Sequence, residues 1–238
     1  MLRNIRTLNN QANKSNYQDL LKVVALVCML IDHLGLYVMP DQIAFRIIGR
    51  AAMPIFAFYA GYNFHNNIRH MVWVFGLIIT VGFYIEFGMV FGNILIAIAL
   101  GQVYLFYAGK ALVHDSSRFF RHFMALLTLA IVTWEVTEFG TLVILFMMVG
   151  FIRANGQRDP GYLLLAGLSL AIHNQCVWNF TTMSQFSAAL FSVLVSISLL
   201  HYIPHNNSMG INLKPISRNM LYIYTVTTLA YIFYIELL

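Results

Sequence analysis

Charge is scarce in this sequence. Lysine, arginine, aspartate and glutamate together make up 10% of its 238 residues, while 60% are hydrophobic and the mean hydropathy is +0.72. An ordinary soluble domain carries about a quarter charged residues. A chain this short cannot hide so much apolar surface in one aqueous core, because a folded domain of this size still exposes about a quarter or more of its unfolded surface. A soluble globular fold is therefore excluded, and lipid is the solvent that suits the composition. Cysteine is equally sparse: Cys28 and Cys176 lie in or beside apolar runs without ligand-like spacing. They read as small buried hydrophobes, so neither a disulfide framework nor a metal site is expected. HExxH, GxSxG, phosphate-loop and CxxC patterns are all missing, which removes metalloprotease, serine hydrolase, NTPase and thiol-redox readings. Alternating polar and apolar strands are also lacking, which argues against a β-barrel. Residues 1–19 contain no apolar stretch of the kind a signal peptide needs, so the first apolar run reads as a retained helix.

What is present is a series of apolar runs. A membrane helix needs ~20 mostly apolar residues to cross ~30 Å of hydrocarbon. Runs of about that length fall at 20–39, 43–64, 71–90, 94–113, 123–138, 139–152, 161–175, 184–202 and 219–237, the fifth to seventh being short. Turn signals separate them, among them Met39-Pro40-Asp41, Phe91-Gly92-Asn93 and Asp159-Pro160. The expected fold is all-α, a polytopic transmembrane bundle of about nine helices. Residues 1–19 form a cytoplasmic N-terminal segment and 20–238 a single transmembrane domain. With the N-terminus inside, twelve of the 14 lysines and arginines fall on the cytoplasmic side and only Arg46 and Arg50 outside. That is the positive-inside pattern of a multi-pass inner-membrane protein, and it accounts for the net charge of +5 without nucleic acid as a partner.

Ionisable groups within the hydrocarbon region are costly and mark functional candidates. Asp32-His33 lies about twelve residues into the first helix. An imidazole titrating near neutrality can take up and return a proton, as general base catalysis requires, and a carboxylate can orient it. Neighbours on a helix point about 100° apart, however, so Asp32 is free instead to pair with an arginine on another helix. Lys22 precedes His33 by eleven residues, about three turns, so both share a face some ~16 Å apart. Arg46 and Arg50 share a face at i,i+4 spacing, Gly49 between them admits a neighbouring backbone, and Pro54 is expected to kink that helix. Two like charges on one face call for an anion between them, either Asp32 or a phosphate held bidentately. A looser set comprises Glu86, Asn93, Glu135, Glu138, His173 and Asn174 near outer helix ends. Among these, Glu86, Asn93 and Glu138 are weak candidates for substrate contact or support.

Leu21-Lys22-Val23-Val24-Ala25 through Met29-Leu30-Ile31-Asp32-His33-Leu34-Gly35, followed by Arg46-Ile47-Ile48-Gly49-Arg50-Ala51-Ala52-Met53-Pro54-Ile55-Phe56-Ala57-Phe58, resembles the TraX family of bacterial membrane proteins. Asn93-Ile94-Leu95 through Leu100-Gly101 resembles a later asparagine-led helix of that family, and Glu138-Phe139-Gly140 stands where its members carry Asp-Tyr-Gly. The likeness runs in order over roughly 20–152. Beyond it, the stretch Tyr222–Thr228 lacks the Pro and His of the family's C-terminal step. The resemblance implies acetyl transfer from acetyl-CoA in the bacterial inner membrane, as in acetylation of the N-terminus of conjugative pilin. A more distant similarity to transmembrane acyltransferases implies His33 as catalytic residue with Asp32 beside it, and Lys22, Arg46 and Arg50 as acyl-CoA contacts.

The expected function is thus an acetyl-CoA-dependent N- or O-acetyltransferase. Its acceptor is a protein N-terminus, or otherwise a cell-surface glycan, and no metal is required. Two rivals stand beside it: a proton-coupled transporter with an Asp-His-Arg relay, and a non-catalytic membrane scaffold. The sequence leaves open whether the chain forms a homodimer.

Overall fold

The computed structural model describes residues 17–88, 92–133, 136–156 and 212–235, with Val90 and scattered helical positions between 161 and 198. The expected runs at 161–175 and 184–202 thus lie largely outside the described residues, as do Glu135, His173 and Asn174. Eight α-helices can be bounded among the described residues: α1 (Tyr17–His33, continuing as a π-helical turn over Leu34–Val38), α2 (Ile43–Gly49), α3 (Ala52–Tyr62), α4 (His70–Phe87), α5 (Ile94–His114), α6 (Ser116–Thr133), α7 (Leu142–Ala154) and α8 (Lys214–Ile235). Among the described residues, four segments, Tyr17–Val38, Ile43–Tyr62, His70–Phe87 and Ile94–His114, are long and apolar enough to cross a membrane. Leu77, Ile78, Val81 and Ile85 leave α4 exposed, as a lipid-facing helix would.

The second segment is broken, but not where its proline suggested. α2 ends at Gly49 and α3 begins at Ala52, so the interruption falls at Arg50-Ala51. Pro54 sits in the first turn of α3, where a missing N–H removes no intrahelical bond. The fifth run also differs from expectation. α6 starts earlier, at Ser116, because Asp115 Oδ1 accepts from the amides of Ser117 and Arg118 at 2.9 and 3.2 Å. It ends at Thr133, before a turn that runs to Thr141.

The central helix is α7. At 13 residues it is about 20 Å long, too short to cross alone, and it is buried on nearly every face. It packs tightly on α3 through reciprocal glycines: a Cβ on Gly61 would strike the Met147 carbonyl, and one on Gly150 the Phe58 carbonyl. Small residues are how apolar helices approach closely where the hydrophobic effect supplies little drive. The start of α8 is fixed to the start of α1 by a 2.8 Å bond from the Ser217 hydroxyl to Asp19. This end of the bundle, with the α3–α4 loop, is termed basal; α2 and the α6–α7 turn lie at the distal end.

Candidate functional site

At the end of α1 the helix widens into a π-helical turn, closed by a 2.9 Å bond from the Met39 amide to the Leu34 carbonyl. Such turns cluster at functional sites. The two residues just before it part company. Asp32 turns toward α2, where its Oδ2 accepts from Arg46 Nη1 at 2.7 Å, and the same guanidinium donates to the Asp32 carbonyl at 3.1 Å. Both side chains are buried. Gly49 makes this approach feasible, since a Cβ there would overlap Asp32. Asp32 makes no hydrogen bond to His33 among the described residues; it ties α1 to α2.

His33 is 6% exposed and enters a ring of tyrosines. Its ring centroid lies 5.7 Å from Tyr37, 5.9 Å from Tyr224 and 5.9 Å from Tyr231. Its Nδ1 has no hydrogen-bond partner among the described residues. Tyr224 comes from the C-terminal stretch that lacks the family's Pro and His, so α8 reaches the site by another side chain. Sequence reading missed all three tyrosines; in a chain with 13 of them, nothing in their local pattern sets these apart.

Arg50 is 2% exposed, with its guanidinium 5.4 Å over the Phe139 ring and within the fields of Asp32 and Glu138. Glu138 arrives on the α6–α7 turn. That turn is pinned by the Gly92 amide to Val136 carbonyl at 3.0 Å and the Glu138 amide to Gly92 carbonyl at 2.7 Å. Phe139 holds a left-handed backbone (φ 62°), costly for a bulky residue, to place its ring under Arg50. Asn93 proves to be a brace: its Oδ1 caps α5 at the Leu95 amide (2.9 Å) while its Nδ2 donates to the Gly76 carbonyl (2.7 Å). Glu86 is half-buried near the end of α4 and lines neither of the cavities described next.

Two neighbouring cavities lie at this site. A small one of about 30 Å³ is lined by Asp32, His33, Gly49, Met53, Glu138 and Tyr224, among others. A chamber of about 480 Å³ opens at the basal end between Lys22, Tyr59, Asn63, Arg69, Gln102 and Ser217. Phe56, Ile94 and Tyr224 line both. Lys22 therefore belongs to the chamber, with its ammonium 5.7 Å from the Tyr59 ring centroid, while Arg46 and Arg50 stand behind Asp32 and line neither cavity. The candidate cations are divided between the two ends of the site. No group of three or more metal-ligating side chains occurs among the described residues.

The family model for the TraX protein matches residues 17–236, nearly all of the chain. The chain belongs to the TraX family. An uncharacterized protein of Rickettsia prowazekii (strain Madrid E), RP591, is 34% identical over 223 residues, covering 90% of each chain. Protein TraX of Escherichia coli is 37% identical over 90 residues, 35% of this chain and 36% of that one. No solved structure matches.

Proposed function

We propose that this TraX-family protein is an acetyl-CoA-dependent acetyltransferase of the bacterial inner membrane, with its basal end in the cytoplasm. The observation that carries this reading is that the basal chamber and the small cavity at His33 share the wall formed by Phe56, Ile94 and Tyr224. A donor entering the basal chamber would meet His33 at its far end, beyond Phe56, Ile94 and Tyr224. His33 Nδ1, without a partner among the described residues, is available to a proton.

In this reading His33 takes the proton from an acceptor amine or hydroxyl as the nitrogen or oxygen attacks the thioester carbonyl. The new C–N or C–O bond forms, the C–S bond breaks, and the leaving thiolate receives the proton from the imidazolium. Asp32 acts through position: by holding Arg46 it fixes α2 against α1 beside His33. The pilin N-terminus is the favoured acceptor where the protein is linked to conjugation, and a glycan hydroxyl otherwise.

General base catalysis contributes about 10²–10⁴-fold. His33→Ala is expected to lose acetyl transfer by that factor while inserting and purifying like the wild type, as read by labelled acetyl incorporation and gel filtration. Undiminished transfer in His33→Ala would overturn the role given to His33. pH-dependent solute flux without transfer would favour a proton-coupled transporter.

A further inference from the structure

The sequence offers Arg46 and Arg50 to the phosphates of a donor, but both stand at the distal end, outside the chamber. The chamber has its own basic side chains. Lys22, His65 and Arg69 line it, and no aspartate or glutamate does among its described lining residues. Neither Lys22 nor Arg69 has an ion-pair partner among the described residues, and the Lys22 ammonium lies in the fields of both Asp19, which attracts it, and Arg69, which repels it. Nearby, the Asp19 carboxylate is engaged by the Ser217 hydroxyl at 2.8 Å. Tyr59, 3% exposed, is one of the lining residues, and its buried hydroxyl has no hydrogen-bond partner among the described residues.

The wall carrying Arg69 is ordered. The Arg69 amide donates to Gln102 Oε1 at 2.8 Å, Asn63 Nδ2 caps α3 at the Tyr59 carbonyl at 2.9 Å, and Phe64 packs edge-on against Phe151. Two basic side chains lining one chamber favour an anion between them. A volume of about 480 Å³ falls within the range of small-molecule sites.

We propose that the basal chamber is a phosphate-binding site in which Arg69 and Lys22 grip the phosphates of a soluble nucleotide thioester donor, with the Tyr59 hydroxyl as a further donor of a hydrogen bond. The nucleotide part of this assignment rests on the acetyltransferase reading. The phosphate chemistry rests on the chamber alone, and an anionic lipid headgroup is the other source of the same group.

The test uses the full-length protein in phosphatidylcholine nanodiscs and measures coenzyme A binding by calorimetry. Wild type is expected to bind coenzyme A, with inorganic pyrophosphate competing. Arg69→Ala and Lys22→Ala should each bind roughly tenfold more weakly or worse, since a charge-assisted contact is worth about 1.5–3 kcal/mol. Arg69→Lys should recover part of the affinity, and Lys110→Ala, exposed on α5 outside the chamber, should match wild type. His33→Ala should bind normally. Equal coenzyme A affinity in wild type, Arg69→Ala and Lys22→Ala would overturn the site. So would failure of wild type to bind coenzyme A while phosphatidylglycerol, added to the nanodiscs and read by native mass spectrometry, is retained by wild type and lost from Arg69→Ala; the site would then belong to a lipid. Binding with the expected variant pattern but no transfer would leave the phosphate site standing and sink the acetyltransferase reading alone.

Discussion

Two adjacent side chains leave α1 about 100° apart, so the Asp32 carboxylate meets Arg46 while the His33 imidazole enters the tyrosine ring. The consequence is a division of labour that the Asp-His dipeptide by itself does not reveal. Asp32 and Arg46 form a buried pair, and removing one member leaves the other without its 2.7 Å partner, at a cost of about 3–5 kcal/mol. Arg46→Ala is therefore expected to destabilise the fold by that order, seen as a lowered midpoint in denaturant titration of the detergent-solubilised protein. The double variant Asp32→Leu/Arg46→Leu should recover most of the loss, because an apolar pair of similar volume avoids the desolvation penalty. A double variant no more stable than Arg46→Ala would show that the tie is not what the Asp32 carboxylate supplies. At this scale the sequence is informative about which residues matter and silent about who meets whom. Lys22, Asp32, His33, Arg46 and Arg50 stand out because charge in an apolar run is conspicuous. Tyr37, Tyr224 and Tyr231 do not, because an aromatic in such a run looks the same on a core face and a lipid face.

Among the helices, the α3–α7 crossing is the most exacting contact. Gly61 and Gly150 each face a carbonyl of the opposite helix, and a backbone atom cannot swing aside as a side-chain tip can. Gly61→Leu and Gly150→Leu are each expected to lower stability by about 1–3 kcal/mol, in keeping with overpacking, with thermal unfolding in detergent as the readout. Gly156→Ala makes a useful contrast, since its φ of 92° strains any side chain although no atom lies nearby. The helix starts at Ile43, His70 and Ile94 were close to legible, marked by turn residues or by a capping asparagine. The break at Arg50-Ala51 was hidden by Pro54, which drew attention four residues along the chain. The ends of α6 were hidden for a different reason: apolar content continues through Val132 and Val136, and only the pairing of Gly92 with the 136–138 turn fixes where the helix must stop.

For the molecule as a whole, the basal end gathers most of the described lysines and arginines outside the buried pair at α2, including Lys22, Arg69, Lys110, Arg118, Arg153 and Lys214. If that end faces the cytoplasm, Lys110→Cys should be labelled by a membrane-impermeant thiol reagent only in inverted vesicles. Labelling in right-side-out cells would reverse the orientation. The placing of the basal chamber beside the His33 cavity was beyond the sequence, because their walls come from α1, α3, α4, α5 and α8 across nearly 200 residues, through side chains that are individually unremarkable. The central claim is acetyl transfer at His33 from a donor held in the basal chamber. Its most direct test is mass spectrometry of candidate acceptors, pilin peptides and surface glycans, incubated with carbon-13 acetyl-CoA and membranes carrying wild type or His33→Ala. A labelled acetyl group with wild type, reduced about 10²–10⁴-fold with His33→Ala, is the expected result. No label with wild type on any acceptor, or equal label from both proteins, would contradict the account.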